Sequence, residues 1–388
     1  MSKLDTRAEL IKLSRMTQVT EADLAFLEDV PLPALIKVRE LASDRVFSDG
    51  RKLFQNLASA SKLMPNGLTA MIAEKAFGPM LCARVAGEMP WQRAVDLSQK
   101  MSIPFLAEVT MAIDPKRVRE IIRNMPVNHL KAVAKELVRR GEYLVLGGFV
   151  NFMMEAQMRA IIGEISEKDL LHIGFFMDGK HQISEIIRML PENRLRVLVS
   201  EMQNHKELWP EALALMVHME DELKRQMGDI AVEQNPEMLD DLTDTVFSLD
   251  LWKDALPLFA CMSPGTQFRL INVAAMSRRD VLEAVAVNTD IYGLWGTLLP
   301  LVEYMSVSQR ELLGDIVAAK GEFFLETVIR AAAEHDMWAP LLDVIRYMTP
   351  AAKEAGKPVL ARALAASPDL LPKVTALAAE RDIGDILA

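Results

Sequence analysis

At 388 residues the chain is too long for one simple core, which leaves either two to three domains or a repeat architecture. Hydrophobic residues make up 51% and charged residues 25%, a balance that excludes an intrinsically disordered chain. The net charge of −10 is uneven. Residues 1–200 carry 28 basic against 24 acidic side chains and residues 201–388 carry 16 against 30, which is either ordinary drift on a solvated surface or the mark of a bipolar molecule whose ends attract different partners.

The opening stretch, "MSKLDTRAELIKLSR", is charged throughout and lacks the apolar centre of a signal peptide. The longest apolar stretch, "YLVLGGFVNFMM" at 143–154, falls short of the roughly 20 residues that span a bilayer, and it carries Asn151. Cys82 and Cys261 are the only cysteines, which leaves no disulfide framework and no cysteine-based zinc site. A cytoplasmic protein is the expectation.

Taken in chain order, the first half repeats one 13-residue phrase. "MPWQRAVDLSQKM" (89–101), "MPVNHLKAVAKEL" (125–137), "ISEKDLLHIGFFM" (165–177) and "LPENRLRVLVSEM" (190–202) each place Pro or Ser second, with small or apolar residues six, nine and thirteen along. "DVPLPALIKVREL" (29–41) and "LMPNGLTAMIAEKAF" (63–77) are looser copies. Pro in that place ends one helix and starts the next. The spacings of 36, 40 and 25 residues predict an irregular stack of helices over 1–205.

Residues 116–140 hold Lys116, Arg117, Arg119, Arg123, Lys131, Lys135, Arg139 and Arg140 against Glu120 and Glu136. Arg119 with Arg123, and Lys131 with Lys135 and Arg139, share helix faces at a spacing of four. Such faces either are ordinary solvated surface or contact an acidic protein, RNA or anionic lipid. The paired glycines of "LGGFV" (146–150) lack a preceding strand and a phosphate-binding lysine, so they predict a bend or a close helix contact.

In the second half, "LWPEALALMVHM" (208–219), "LWKDALPLFACM" (251–262), "LWGTLLPLVEYM" (294–305) and "MWAPLLDVIRYM" (337–348) align without gaps. Trp209, Trp252, Trp295 and Trp338 are 43 residues apart, as are Met219, Met262, Met305 and Met348. This is a tandem repeat over 206–388. Each unit reads as three helices. One runs from Trp to Met; a second follows a Ser/Thr cap and carries Ile230, Val273, Ile316 or Val359; a third begins near Met238, Val281 or Phe324. Apolar neighbours place the Trp in the core between layers, the alternative being a ladder of aromatics for an extended peptide.

The helical turns of 89–202 resemble the cytosolic N-terminal domain of MgtE-type magnesium transporters and the helical repeats of the flagellar motor-switch protein FliG. That resemblance implies short helices wound into a right-handed superhelix and used for regulatory contacts; it transfers no site residue and no transport activity. The expected fold is all-α, a right-handed α-α superhelix of the armadillo/HEAT type, with the irregular half continuous with the four tandem units.

Motifs that carry chemistry are missing. No two of His129, His172, His181, His205, His218 and His335 stand at i, i+4, and no phosphate-binding glycine loop or nucleophile elbow occurs. "HMEDELKRQM" (218–227) groups His218, Glu220, Asp221 and Glu222, where the acids favour the start of a helix better than they form a metal site. Cys261 reads as a small core residue. Asp240, Glu283 and Glu326 share the 43-residue register, either as solvated positions or as an acidic stripe for a basic partner. The 24 methionines mostly fill core positions and permit a pliable apolar groove.

The functional expectation is a non-enzymatic scaffold or adaptor, without metal or cofactor, binding a protein or peptide through its solenoid surface. Alternatives are nucleic-acid or anionic-surface binding through 116–140 with only peripheral membrane contact, a regulatory subunit of a membrane or motor complex, and an enzyme assembled from dispersed residues.

Overall fold

The computed structural model describes residues 3–235 and 237–387. The described residues are all-helical: they form 26 α-helices, joined by short 3₁₀ and π turns, and contain no strand. Two compact units divide it, Met1–Glu201 and Met202–Ala388.

In the first unit the repeated phrases start helices as their Pro or Ser predicts. Pro31, Pro65, Pro90 and Pro126 cap Leu32–Ser48, Asn66–Ile72, Trp91–Ser98 and Val127–Arg139 in extended backbone, and the Ser166 side chain accepts from Asp169 N at the start of Glu167–Phe175. Helices pack on the next but one. Gly78–Ala86 lies on Ile103–Ala112, which lies on Val127–Arg139; in a second row Asn66–Ile72 lies on Trp91–Ser98, which lies on Arg119–Asn124.

Polar ties join one layer to the layer before it. The third residue of a helix reaches back to carbonyls 29 to 38 residues earlier: Arg93 to Ser61 and Met64, His129 to Ser98, Gln157 to Ile122 and Met125, Arg194 to Ile162 and Ile165, and Gln309 to Ile271 and Met276. A helix end leaves carbonyls without intrahelical partners, and these side chains satisfy them where water is excluded.

The N-terminal helix Lys3–Thr17 is tied to the far end of its own unit. Buried Lys12 bridges Glu9 at 2.7 Å and Asp178 at 2.6 Å, Arg39 joins the same two acids at 2.8 and 3.0 Å, and Lys180 pairs with buried Asp5. Helix Leu32–Ser48 is held in the same way, Ser43 to Asp114 and Glu40 to Lys116. Burial pushes the Asp178 carboxyl up, but the Lys12 and Arg39 charges outweigh it and hold it below its ordinary value.

In the second unit Trp209, Trp252, Trp295 and Trp338 each stand first in a helix, at 3%, 0%, 2% and 1% exposure. They are core residues, and Trp295 also meets the Phe324 ring edge-on at 5.7 Å. Ser263, Ser306 and Thr349 cap the helices that follow. Ile230, Ile316 and Val359 lie buried in their helices, but Pro264–Ile271 stops before Val273, which falls in a bend ahead of the 3₁₀ turn Ala275–Ser277. Asn272, at the register of Asp229 and Asp315, ends that helix by bonding both Phe268 O and Tyr304 O. Asp229 and Asp315 likewise bond Ser263 and Thr349 of the following layer.

The acids sharing a register do the same. Asp240 accepts from Ala275 N at 2.9 Å, Glu283 pairs with Lys320 at 2.5 Å and Glu326 with Arg362 at 3.2 Å. They join successive layers.

Candidate functional site

The first unit contains an apolar cavity of about 240 Å³ whose walls come from residues 57–153. The wall crosses successive helices: Leu57 and Ser61 on Arg51–Ser61, Cys82 and Val85 on Gly78–Ala86, Ala94 and Leu97 on Trp91–Ser98, Leu106 and Val109 on Ile103–Ala112, Leu130 and Ala134 on Val127–Arg139, and Phe149 at its far end. These side chains face inward because each helix places its apolar residues three and four apart. Gly147, two residues before Phe149, packs away from the cavity. A Cβ there would come within 2.8 Å of Ile173 O, so glycine lets helix Tyr143–Phe149 close on Glu167–Phe175, the close contact that the paired glycines predict.

The polar groups of the wall are occupied. Ser61, Ser98, Thr69 and Thr110 donate to carbonyls of their own helical turns, at 2.7, 2.7, 3.1 and 2.7 Å. His129 Nε2 lies 3.0 Å from Ser98 O. Burial raises the Cys82 thiol to about 11, so it stays protonated at neutral pH and packs as a small apolar group. The wall therefore attracts hydrocarbon and gives water little to bond to.

Five methionines line the cavity: Met64, Met89, Met101, Met125 and Met153. Met89, Met101 and Met125 are first or last letters of the 13-residue phrases. The excess of methionine was the one trace of this site in the sequence; the other wall residues read as ordinary helix faces.

The basic segment is divided among several neighbours. Arg117 lies 3.6 Å from Asp44 and beside the Phe47 ring; Arg119 and Arg123 flank Glu120; Lys131 and Lys135 grip Glu164 at 2.5 and 2.6 Å; Arg139 and Arg140 hold Glu136, both at 2.7 Å. Bonds from Lys131 and Lys135 bring Glu164 down to about 2, and bonds from Arg139 and Arg140 do the same to Glu136. Lys131 and Lys135 do share a face, whereas Arg139 turns to its own helix. The Met125–Pro126 turn separates Arg119–Asn124 from Val127–Arg139.

Elsewhere the arrangement is structural. Asp221 and Glu222 sit in the first turn of Asp221–Gln234, where the helix dipole favours them, and Asp221 pairs with Lys224. Cys261 ends helix Trp252–Cys261, its thiol raised by burial and by a bond with Asp221. His172 stacks on Tyr143 at 4.8 Å. Among the described residues no group of three or more His, Cys, Asp or Glu side chains is placed to hold a metal ion, and no helix is long and apolar enough to cross a membrane.

The chain matches no protein-family model, no curated protein and no solved structure.

Proposed function

We propose that the protein is a non-enzymatic, cytoplasmic helical-repeat scaffold that binds a protein partner. In this reading both units are right-handed α-α stacks of the armadillo/HEAT kind, the second built of four 43-residue repeats, and the likeness of residues 89–202 to MgtE-type N-terminal domains and FliG repeats is one of fold. The ties from each layer to the one before support it, because layered helices of this kind expose long surfaces without needing a catalytic centre.

One observation carries the binding role. On helix Leu32–Ser48 only Leu35 is buried, while Val38, Leu41 and Val46 are each more than half exposed. The next helices continue the pattern with Leu53, Leu68, Met71 and Met80. We read apolar exposure on four consecutive helices as an interaction surface. Exposed Lys52, Lys62 and Lys75 flank these side chains, which suits an amphipathic partner segment with acidic edges.

The test replaces Val38, Leu41 and Met80 by Asp together and compares cross-linked partners of native and variant chains by quantitative mass spectrometry. Fold stability should stay within ~0.5 kcal/mol per site, since the positions are exposed. A partner enriched by the native chain and lost at least tenfold by the variant supports the reading. Equal recovery by both chains overturns it.

A further inference from the structure

The cavity in the first unit differs from the exposed helices: most of its wall side chains are buried or half-buried, it is partly open to solvent, and Val38, Leu41 and Met80 are not among its lining residues. We propose that it is a binding site for one linear acyl chain of about ten carbons.

Size, shape and chemistry each narrow the ligand. An apolar cavity of about 150 Å³ admits benzene, and in proportion about 240 Å³ admits about ten carbons. The wall runs from Leu57 through Val85, Leu106 and Leu130 to Phe149, on five different helices. The apolar surface is therefore contributed by many helices, and a flexible linear chain can follow it where a rigid ring system contacts only part of it. The wall's hydroxyls and its one imidazole are bonded to main-chain carbonyls, and no Lys, Arg, Asp or Glu is among its described residues. Nothing inside recognises a polar head, so the head stays at the mouth in solvent. Methionines in the wall re-pack around a flexible chain at little cost.

A free fatty acid and a single-chain phospholipid share this chemistry, and the experiment separates them. The full chain is titrated by calorimetry with decanoate and with 1-decanoyl lysophosphatidylcholine, both below their micelle concentrations, with butyrate as the short control. Saturable one-to-one binding of either ten-carbon ligand, at least tenfold tighter than butyrate, supports the site, and the preferred ligand identifies the source.

Ala134→Leu and Ala94→Leu, each filling the cavity from a different helix, should weaken that binding at least tenfold while leaving Tm unchanged or raised. A decanoate carrying a terminal photoreactive diazirine should label wall residues such as Met101 and Met125, which keeps the proposal testable if a filled variant misfolds. Non-saturable uptake, binding indifferent to both alanine substitutions, or labelling confined to the exposed helices would overturn it. Binding lost in the filled variants but kept in the Val38/Leu41/Met80 variant separates this site from the scaffold surface.

Discussion

Gln309 is the sharpest place to test the idea that polar ties hold successive layers together. It is 2% exposed and stands third in helix Val307–Ala319. Its oxygen accepts from Ser306 N at 2.9 Å, and its nitrogen donates to Ile271 O at 2.6 Å and Met276 O at 3.1 Å. Gln309→Leu keeps most of the shape and removes these three bonds, along with one from the Ser306 hydroxyl at 2.9 Å that solvent can replace. Each is worth about 0.5–1.5 kcal/mol net, and stranding two buried carbonyls moves the sum to the upper part of that range, about 3–4 kcal/mol. Gln309→Glu keeps the acceptor for Ser306 but turns a second carboxylate oxygen toward two carbonyls, so at pH 7 it should cost more than the leucine variant. Because that setting raises the introduced carboxyl's pKa, its excess cost should shrink as the pH falls and the group becomes a donor again. Urea unfolding followed by tryptophan fluorescence reads the right unit, since four of the five tryptophans lie in Met202–Ala388. A leucine variant within ~0.5 kcal/mol of the parent, or a glutamate variant equal to it at pH 7, refutes the reasoning.

Three other outcomes are expected. Trp252→Ala removes a fully buried indole and should cost about 3–5 kcal/mol in the same urea experiment; a near-neutral result would mean that the tryptophans do not pack the layers. Asp178→Asn should loosen the N-terminal helix at a cost of about 1–3 kcal/mol, less than a fully buried pair would lose, and hydrogen exchange should speed up across Lys3–Thr17. Acid should mimic it: with a folded pKa below the ordinary value, Asp178 contributes stability above the unfolded value of about 3.9 that disappears as pH falls through the folded one. Carboxyl carbon shifts of Glu136 and Glu164 should titrate at about 2, well below the ~4.3 of an unperturbed glutamate, and Lys131→Met with Lys135→Met should return Glu164 toward that value.

How much of this is legible in the sequence follows from what repeats as letters. The Trp-to-Met stretches and the Pro- or Ser-led phrases announce themselves because one apolar side chain fills the same gap each time. The layer ties do not, since Arg93, His129, Gln157, Arg194 and Gln309 perform one task with three different residue types. The clamp of the N-terminal helix is equally silent: Lys12 and Asp178 are 166 residues apart, and each alone looks like surface charge. Asp240, Glu283 and Glu326 were visible as a register, but their partners lie 35 to 37 residues downstream, so the register alone left their role open. The cavity was the least legible of all, because unfilled volume belongs to how helices meet and not to any single position.

The backward reach of those third-position side chains bears on how the chain comes into being. A layer emerging from the ribosome has its apolar contacts available at once, but its last carbonyls wait for these side-chain partners until the third α-helix on begins, 29 to 38 residues later. At ~5–20 residues per second that is a wait of roughly 2–8 s. Where such a tie exists, a layer is completed by its successor during synthesis, and the growing end carries it unfinished until then.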